Sequence, residues 1–291
     1  MKNINKQAIL IMAHNNLFTL LSLIEMLDSE YFDLYVHIDK KSSIKLADLN
    51  NKCQKSKLYV YKEIDIRWAD YSQVTAELFL LSKAKKGNYK YYHLISGNDM
   101  PLKRAKDIFN YFDGSNNEFV HFSAKEMSKK KIDWIKYYHI FMKKLRNNYF
   151  YIILDKVFVF FQKILFINRL KNNYSYMTGA NWFSITDKLA KYTLDQKDEI
   201  EKMFNNTRSP DEIFLQTIVE NSSFKNNLYN KEYNDNYDSC KRFIEWDGTI
   251  PYVFRKKDYE ELINSNMMFA RKFDENVDRE IIELLYNKLK S

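Results

Sequence analysis

The sequence predicts an α/β fold in which strands alternate with helices, with a helical segment inserted in the middle. Two observations carry the prediction. Apolar runs of strand length recur through the first hundred residues, separated by stretches of helical periodicity. Polar residues gather just after those runs, where α/β sheets collect ligands at the C-terminal ends of their strands.

Ala8 to Ala13 is an unbroken apolar run of a buried strand, followed by a helical pattern from Asn16 to Leu27. Leu34 to Ile38 forms the second strand, Leu58 to Tyr61 the third, and Ser72 to Lys86 a helix. Tyr89 to Ile95 is the fourth strand and runs into Ser96-Gly-Asn-Asp-Met-Pro-Leu102. The segments after the first, second and fourth strands carry His14, Asp39 with Lys41, and Asp99. The middle, Lys129 to Lys171, is dense in Lys, Tyr, Phe, Ile and Leu and fits two amphipathic helices. Its apolar stripe suits a core or partner surface. The basic residues around it (Lys129, Lys130, Lys131, Lys143, Lys144, Arg146, Arg169 and Lys171) also suit contact with anionic lipid. Beyond it, Trp182 to Ile185 fits a strand, Asp187 to Leu194 and Ser209 to Ile218 fit helices, and Cys240 to Trp246 fits a late strand. Helices over Asp258 to Ser265 and Val277 to Lys290 bracket a loop, Phe269-Ala-Arg-Lys-Phe-Asp274.

With 291 residues, 16% aromatic and 29% charged, the chain can bury a sizeable core and is not of disordered composition. Only 5 Gly and 3 Pro, with no linker or repeat, predict one domain over residues 1–291. The net charge of +8 fits three partner classes: nucleic acid, an anionic membrane surface, or phosphorylated small molecules. Cys53 and Cys240 are far apart and lack metal-ligand spacing, as expected of reduced thiols. Ala8 to Ala13 is too short for a signal-peptide core, so a cytoplasmic location is expected. Tyr151 to Ile167 is interrupted by Asp155, Lys156, Gln162 and Lys163, unlike a membrane span.

Five local patterns bear on chemistry. In Ser209-Pro-Asp-Glu212, Ser209 suits a helix N-cap, Pro210 the first helical position and Glu212 the reciprocal member of a capping box. Glu212 also suits a general base at a helix mouth, although spacing alone favours the cap and a helix N-terminus favours the carboxylate and weakens it as a base. Asp39, after a strand, is either a turn acid or a ligand residue. Trp68 is either core or a face on which a sugar stacks. Asp99 shapes its turn through its own side chain or serves a substrate, and the turn is favoured. In Arg271-Lys272, a planar fork and a point charge stand between aromatic anchors, suited to phosphate oxygens. There is no Gly-rich phosphate loop, no Gly-x-Ser-x-Gly and no His-Glu-x-x-His. Asp33 with Asp39, and Asp235 with Asp238, do not form a convincing Asp-x-Asp metal site.

Taken together, these motifs resemble glycosyltransferase family 14, which holds the core-2/I-branching N-acetylglucosaminyltransferases, the peptide O-xylosyltransferases and many bacterial relatives. The resemblance runs in order through nearly the whole chain. It rests on Ile11-Met-Ala-His14, His37-Ile-Asp-Lys-Lys-Ser42, Trp68, His93-Leu-Ile-Ser-Gly-Asn-Asp-Met-Pro-Leu102 and Thr178-Gly-Ala-Asn-Trp-Phe183. It continues through Ser209-Pro-Asp-Glu212, Arg242-Phe-Ile-Glu-Trp246 and Phe269-Ala-Arg-Lys-Phe-Asp274.

That resemblance implies a GT-A-like, Rossmann-type mixed sheet flanked by helices. It also implies an inverting, metal-independent transfer from a UDP-sugar to a hydroxyl of a glycan acceptor. Carried over by position, Glu212 resembles the catalytic base, and Asp39 and Lys41 the uracil contacts. Trp68, Asn181 and Trp182 fall where the family contacts donor sugar. Arg271 and Lys272 match the diphosphate ligands and Arg242, more loosely, another; His14 and Asp99 are further candidates. No metal or other cofactor is implied beyond the UDP-sugar substrate.

Two departures stand out. The family often has Trp-Gly-Gly where this chain has Trp68-Ala69-Asp70, and Asn181 stands where xylosyltransferases carry Asp, which argues against xylose. Family frequency favours N-acetylglucosamine as donor sugar. The segment over residues 129–172 matches poorly and is the expected acceptor- or membrane-facing part. The expected acceptor is a growing surface glycan, free or lipid-linked, met at the inner face of the cell membrane. A metal-dependent GT-A transferase of another family and a basic nucleic-acid-binding protein are the alternatives, the latter without a recognisable motif.

Overall fold

The computed structural model of the chain describes residues 5–145 and 148–290. Arg146, counted above among the basic residues of the middle segment, lies outside them. The chain opens with strand β1 (Gln7–Ala13), helix α1 (Leu17–Leu27), β2 (Phe32–Ile38), β3 (Leu58–Tyr61) and helix α2 (Ser72–Ala84). Next come β4 (Tyr91–Ser96), the short β5 (Asp99–Pro101), helix α3 (Ala105–Asp113) and β6 (Phe119–Val120). The middle segment is helical: α4 (Lys129–Lys136), α5 (Met142–Leu145) and α6 (Tyr149–Ile164). After it stand β7 (Phe183–Thr186), α7 (Asp187–Asp195), α8 (Lys197–Phe204) and α9 (Phe214–Glu220). The chain finishes with β8 (Arg242–Ile244), β9 (Trp246–Asp247), β10 (Ile250–Pro251), α10 (Tyr259–Asn264), β11 (Phe269–Arg271) and α11 (Arg279–Leu289).

Six strands form the main sheet in the order β3-β2-β1-β4-β7-β6. The first four are parallel; β7 runs antiparallel to both β4 and β6. The sheet is therefore mixed and flanked by helices, as the sequence predicts. Both faces are covered, which is why β1 reads as a continuous apolar run from Ala8 to Ala13. Ile9 and Ile11 of β1 point into a core shared with α1, α3 and α11, while Ala8 and Leu10 point into a second core with α2, α7 and α9. A smaller sheet, β5-β11-β8, sits beyond the end of β4, with β11 antiparallel to β5 and parallel to β8.

Four segments differ from the sequence expectation. Residues 129–171 hold three helices rather than two. The expected helix over Ser209 to Ile218 is split into a 3-10 turn, Pro210–Glu212, and α9, because Ile213 leaves helical geometry at φ −130°. The late strand shortens to Arg242–Ile244. The Arg-Lys loop is partly a strand, since Arg271 pairs in register with Asp99 on one side and Ile244 on the other. Helix α3 carried a signal that the expectation omitted: Ala105, Ile108, Phe109 and Phe112 are buried at i, i+3, i+4 and i+7. Among the described residues, no helix is long and apolar enough to cross a membrane.

Candidate active site

The C-terminal ends of β1, β2 and β4 meet at a tightly tied edge. The Asp39 backbone N–H donates to the Ala13 carbonyl at 2.7 Å and the Gly97 N–H to the Met12 carbonyl at 2.9 Å. A Cβ on Gly97 would lie 2.9 Å from Ala13 Cβ, so only glycine lets the two strand ends approach this closely. Asp39 is buried, and its Oδ1 accepts from the Lys41 N–H at 3.0 Å and the Ile66 N–H at 3.4 Å. Lys41 Nζ donates to the Ile66 carbonyl at 2.7 Å and stands 3.7 Å from Asp39 Oδ2. It also pairs with Asp65, which binds Arg67 at 2.7 Å; sequence reasoning did not single out either. Asp39 and Lys41 are thus brought together. His14, exposed at the end of β1, lies on the same edge.

The Ile66 segment leads to Trp68, which is 60% exposed and therefore not a core residue. Ala69 follows at φ +59°, a left-handed backbone that glycine adopts more easily, in keeping with the Gly the family often places there. This turn is fastened to the Glu212 turn twice. The Ser209 N–H donates to the Ala69 carbonyl at 2.9 Å. Gln73 of α2 accepts from the Ala69 N–H at 2.7 Å and donates to Asp211 Oδ2 at 2.8 Å.

Pro210 takes the first position of the 3-10 turn as expected, but the capping box does not form. Ser209 has φ +47° and its side chain makes no capping bond. The Glu212 carboxylate is half-buried and receives no hydrogen bond among the described residues. Burial raises its pKa, with Lys131 of α4 pulling the other way. The weakening expected from a helix N-terminus is therefore corrected: the turn is too short for a helix dipole, and desolvation dominates. Two neighbouring carboxyls are pushed up further. Burial first, then the charge of Glu212, takes Asp211 to about 8. Glu77 of α2, fully buried, is raised well above the ordinary carboxylate range, chiefly by burial, with the neighbouring Asn181 side chain acting against the shift. Burial thus disfavours the charged form of all three carboxyls, and the charge of one raises the others.

The segment before β7 joins this turn to the small sheet. The Gly179 N–H donates to the Glu212 carbonyl at 2.9 Å, and a Cβ on Gly179 would fall 1.8 Å from the His121 carbonyl oxygen. Asn181 lies beside Glu77 and is half-exposed. Trp182 is buried, and its ring carries the Arg271 guanidinium at 4.2 Å. It is a platform for a cation rather than an open sugar face. Arg271 NH1 stands 3.8 Å from Asp99 Oδ1, while its Nε and NH1 have no hydrogen-bond partner among the described residues. Asp99 is itself fixed by Ser96, whose N–H donates to Oδ2 at 3.0 Å and whose hydroxyl donates to Oδ1 at 2.5 Å. Asp99 thus ties its own turn together through its side chain, and it is also the counter-charge of Arg271. Lys272 is half-exposed and forms no ion pair within 4 Å among the described residues. Tyr237, stacked on His121 at 4.3 Å, feels the charge of Glu212 and adds to the field at Arg271, so each lies in its electrostatic neighbourhood.

Arg242 requires correction. Its side chain is fully buried, donating to the carbonyls of Cys240 at 2.7 Å, Phe183 at 2.9 Å and Leu94 at 3.3 Å. Burial lowers its pKa to about 10. This guanidinium joins the main sheet to the small one and does not reach the cleft. Arg242→Met should cost roughly 3 kcal/mol or more in chemical denaturation, because buried carbonyls lose their donor.

Gln73, Glu77, Asp211, Lys131 and Tyr237 were not assigned roles from sequence. Only Glu77 carried a signal, as an acid within the apolar stripe of Val74, Leu78 and Leu81. A cavity of about 460 Å³ between Tyr89, Lys90, Glu118 and Thr186 contains none of the site residues.

The model of the protein family described as Core-2/I-Branching enzyme matches residues 8–268. Xylosyltransferase 2 of Rattus norvegicus is 29% identical over 122 residues, covering 37% of this chain and 14% of that protein. Xylosyltransferase sqv-6 of Caenorhabditis briggsae is 30% identical over 122 residues, covering 36% and 15%. The match thus spans about a seventh of the length of these relatives. Among solved structures, the apo form of the glycosyltransferase GlyE from Streptococcus pneumoniae TIGR4 aligns with a TM-score of 0.42 at 12% identity, covering 97% of this chain and 62% of that one.

Proposed function

The chain belongs to the core-2/I-branching enzyme family, and on that premise we propose that it is an inverting glycosyltransferase moving a sugar from a UDP-sugar to a glycan hydroxyl. The observation that carries the reading is Arg271: a largely buried cation, stacked on Trp182, with N–H groups that no described residue satisfies. Leaving such donors unpaired costs free energy that an anionic ligand would recover.

In this reading Glu212 takes the proton of the acceptor hydroxyl as its oxygen bonds to the anomeric carbon. The bond from that carbon to the diphosphate breaks on the opposite face, and UDP departs with the electron pair. Arg271 and Lys272 meet the charge that grows on the leaving phosphate. Asp39 and Lys41 hold the uracil, while Trp68 and Asn181 border the sugar.

Transfer without a metal is supported by the chemistry of the donor set. Asp99, the carboxylate at the end of β4, is already engaged by Ser96 and Arg271. N-acetylglucosamine is the proposed sugar on family frequency, and a lipid-linked surface glycan the proposed acceptor. A panel of UDP-sugars, tested by thermal shift and donor hydrolysis with and without EDTA, checks the proposal. The expected result is stabilisation by UDP and by one UDP-sugar, with turnover unaffected by chelation. Absence of UDP binding would overturn the reading, and strict dependence on Mn²⁺ or Mg²⁺ would overturn its metal-free part.

A further inference from the structure

We propose that α6 docks the protein on an anionic phospholipid bilayer, its apolar face in the headgroup–acyl boundary and the surrounding lysines against the lipid phosphates. The helix is inside out. Its buried side chains are polar, Asp155 and Gln162. Asp155 Oδ2 bonds His139 Nδ1 at 2.8 Å, and Gln162 exchanges hydrogen bonds with the Tyr138 backbone at 2.8 and 2.9 Å. Phe150, Ile153, Val157, Phe160, Phe161 and Ile164 are all exposed. At the helical repeat they fall within about 60° of the direction opposite Asp155. Phe166, just past the helix, is 91% exposed. Eleven of the 18 exposed large apolar side chains among the described residues lie between Tyr138 and Phe166. A contiguous apolar face of this kind marks an interaction surface.

Charge identifies the occupant. From Lys129 to Lys171 the sequence has eleven basic and two acidic residues; the other 248 have 35 basic and 36 acidic. The whole positive surplus of the chain therefore sits in the segment that carries the exposed apolar face. Lys143, Lys144, Lys156 and Lys163 are exposed beside it, and Lys156, Lys163 and Arg208 border a hollow of about 290 Å³ next to Phe160. A second copy of the chain would bring two positive surpluses together, whereas an anionic bilayer neutralises one. Apolar insertion combined with basic residues is the pairing that holds peripheral helices at such surfaces.

Docking would also place the cleft beside the lipid. Arg67 donates to the Lys143 carbonyl at 3.0 Å, and Lys131 reaches Thr178 at 3.3 Å, so the helical segment adjoins both the Trp68 turn and the Glu212 turn. Vesicle binding stands apart from the transfer reaction and is tested without it.

The test is flotation of the full chain with vesicles of phosphatidylcholine alone or with about one-third phosphatidylglycerol. The expected result is co-flotation with the anionic vesicles only, released by high salt. Phe160→Ser/Phe161→Ser/Ile164→Ser, at exposed positions, should weaken binding by about tenfold or more. Lys143→Glu/Lys144→Glu should do the same without touching the apolar face, and decides the matter if the first variant fails to fold. No flotation of the wild type, or unchanged flotation of both variants, overturns the proposal. So does a dimer that ignores vesicles and becomes monomeric in the triple variant, which would assign the face to a second copy.

Discussion

Glu212→Gln is expected to lower turnover by roughly 10²–10⁴-fold while leaving UDP affinity unchanged. The substitution keeps the shape of the side chain and removes the group that accepts the acceptor proton. Because burial raises the pKa of Glu212, the acid limb of the wild-type rate profile should lie above the ordinary carboxylate value of 4.5. The sign follows from the carboxylate being the active form: turnover climbs as pH rises through that raised pKa and levels off beyond it. The Gln variant should lack this limb. Its Asp211 should also titrate lower than in the wild type, since the charge of Glu212 is the second cause of the upward shift. Steady-state rates from pH 4 to 9, with UDP titrations at each end, measure both effects. A Gln variant with near-wild-type turnover would remove Glu212 from the mechanism.

Arg271→Met should cost about 10²–10³ in turnover and, unlike Glu212→Gln, should abolish the stabilisation conferred by UDP. The free protein should unfold at nearly the same denaturant concentration. Arg271 is desolvated, two of its nitrogens lack partners, and its one carboxylate, at 3.8 Å, keeps both Ser96 bonds when the cation goes. Arg271→Lys should recover part of the affinity but little of the rate, because an ammonium lacks the planar fork and the stacking on Trp182. Retention of full UDP binding by Arg271→Met would show that the buried guanidinium is structural, as Arg242 is.

The contrast between Arg271 and Arg242 shows where sequence reasoning stopped. Both stand in matching motifs, and both end up largely buried beside the small sheet. Arg242 meets four oxygen acceptors within 3.5 Å. Arg271 meets one carboxylate at 3.8 Å, and the difference depends on the carbonyls of Leu94 and Phe183, far away in sequence. Trp182 shows the same limit, since its motif marks the position but not whether the ring faces a sugar or a cation. The Ser209 turn shows it in reverse. Its residues spell a good capping box, yet the backbone at Ser209 and Ile213 departs from helical geometry and the box is not made.

By itself, the sequence determined the parallel strands of the main sheet, the polar residues just beyond their ends and the family. Runs buried on both faces, and short motifs just beyond them, are local properties that need no partner to be read. Tertiary structure alone decided which cations have their donors satisfied within the protein, which carboxyls burial pushes up in pKa, and that α6 turns its apolar side outward. Each of these is set by burial and by neighbours from distant parts of the chain, and no local pattern carries that information.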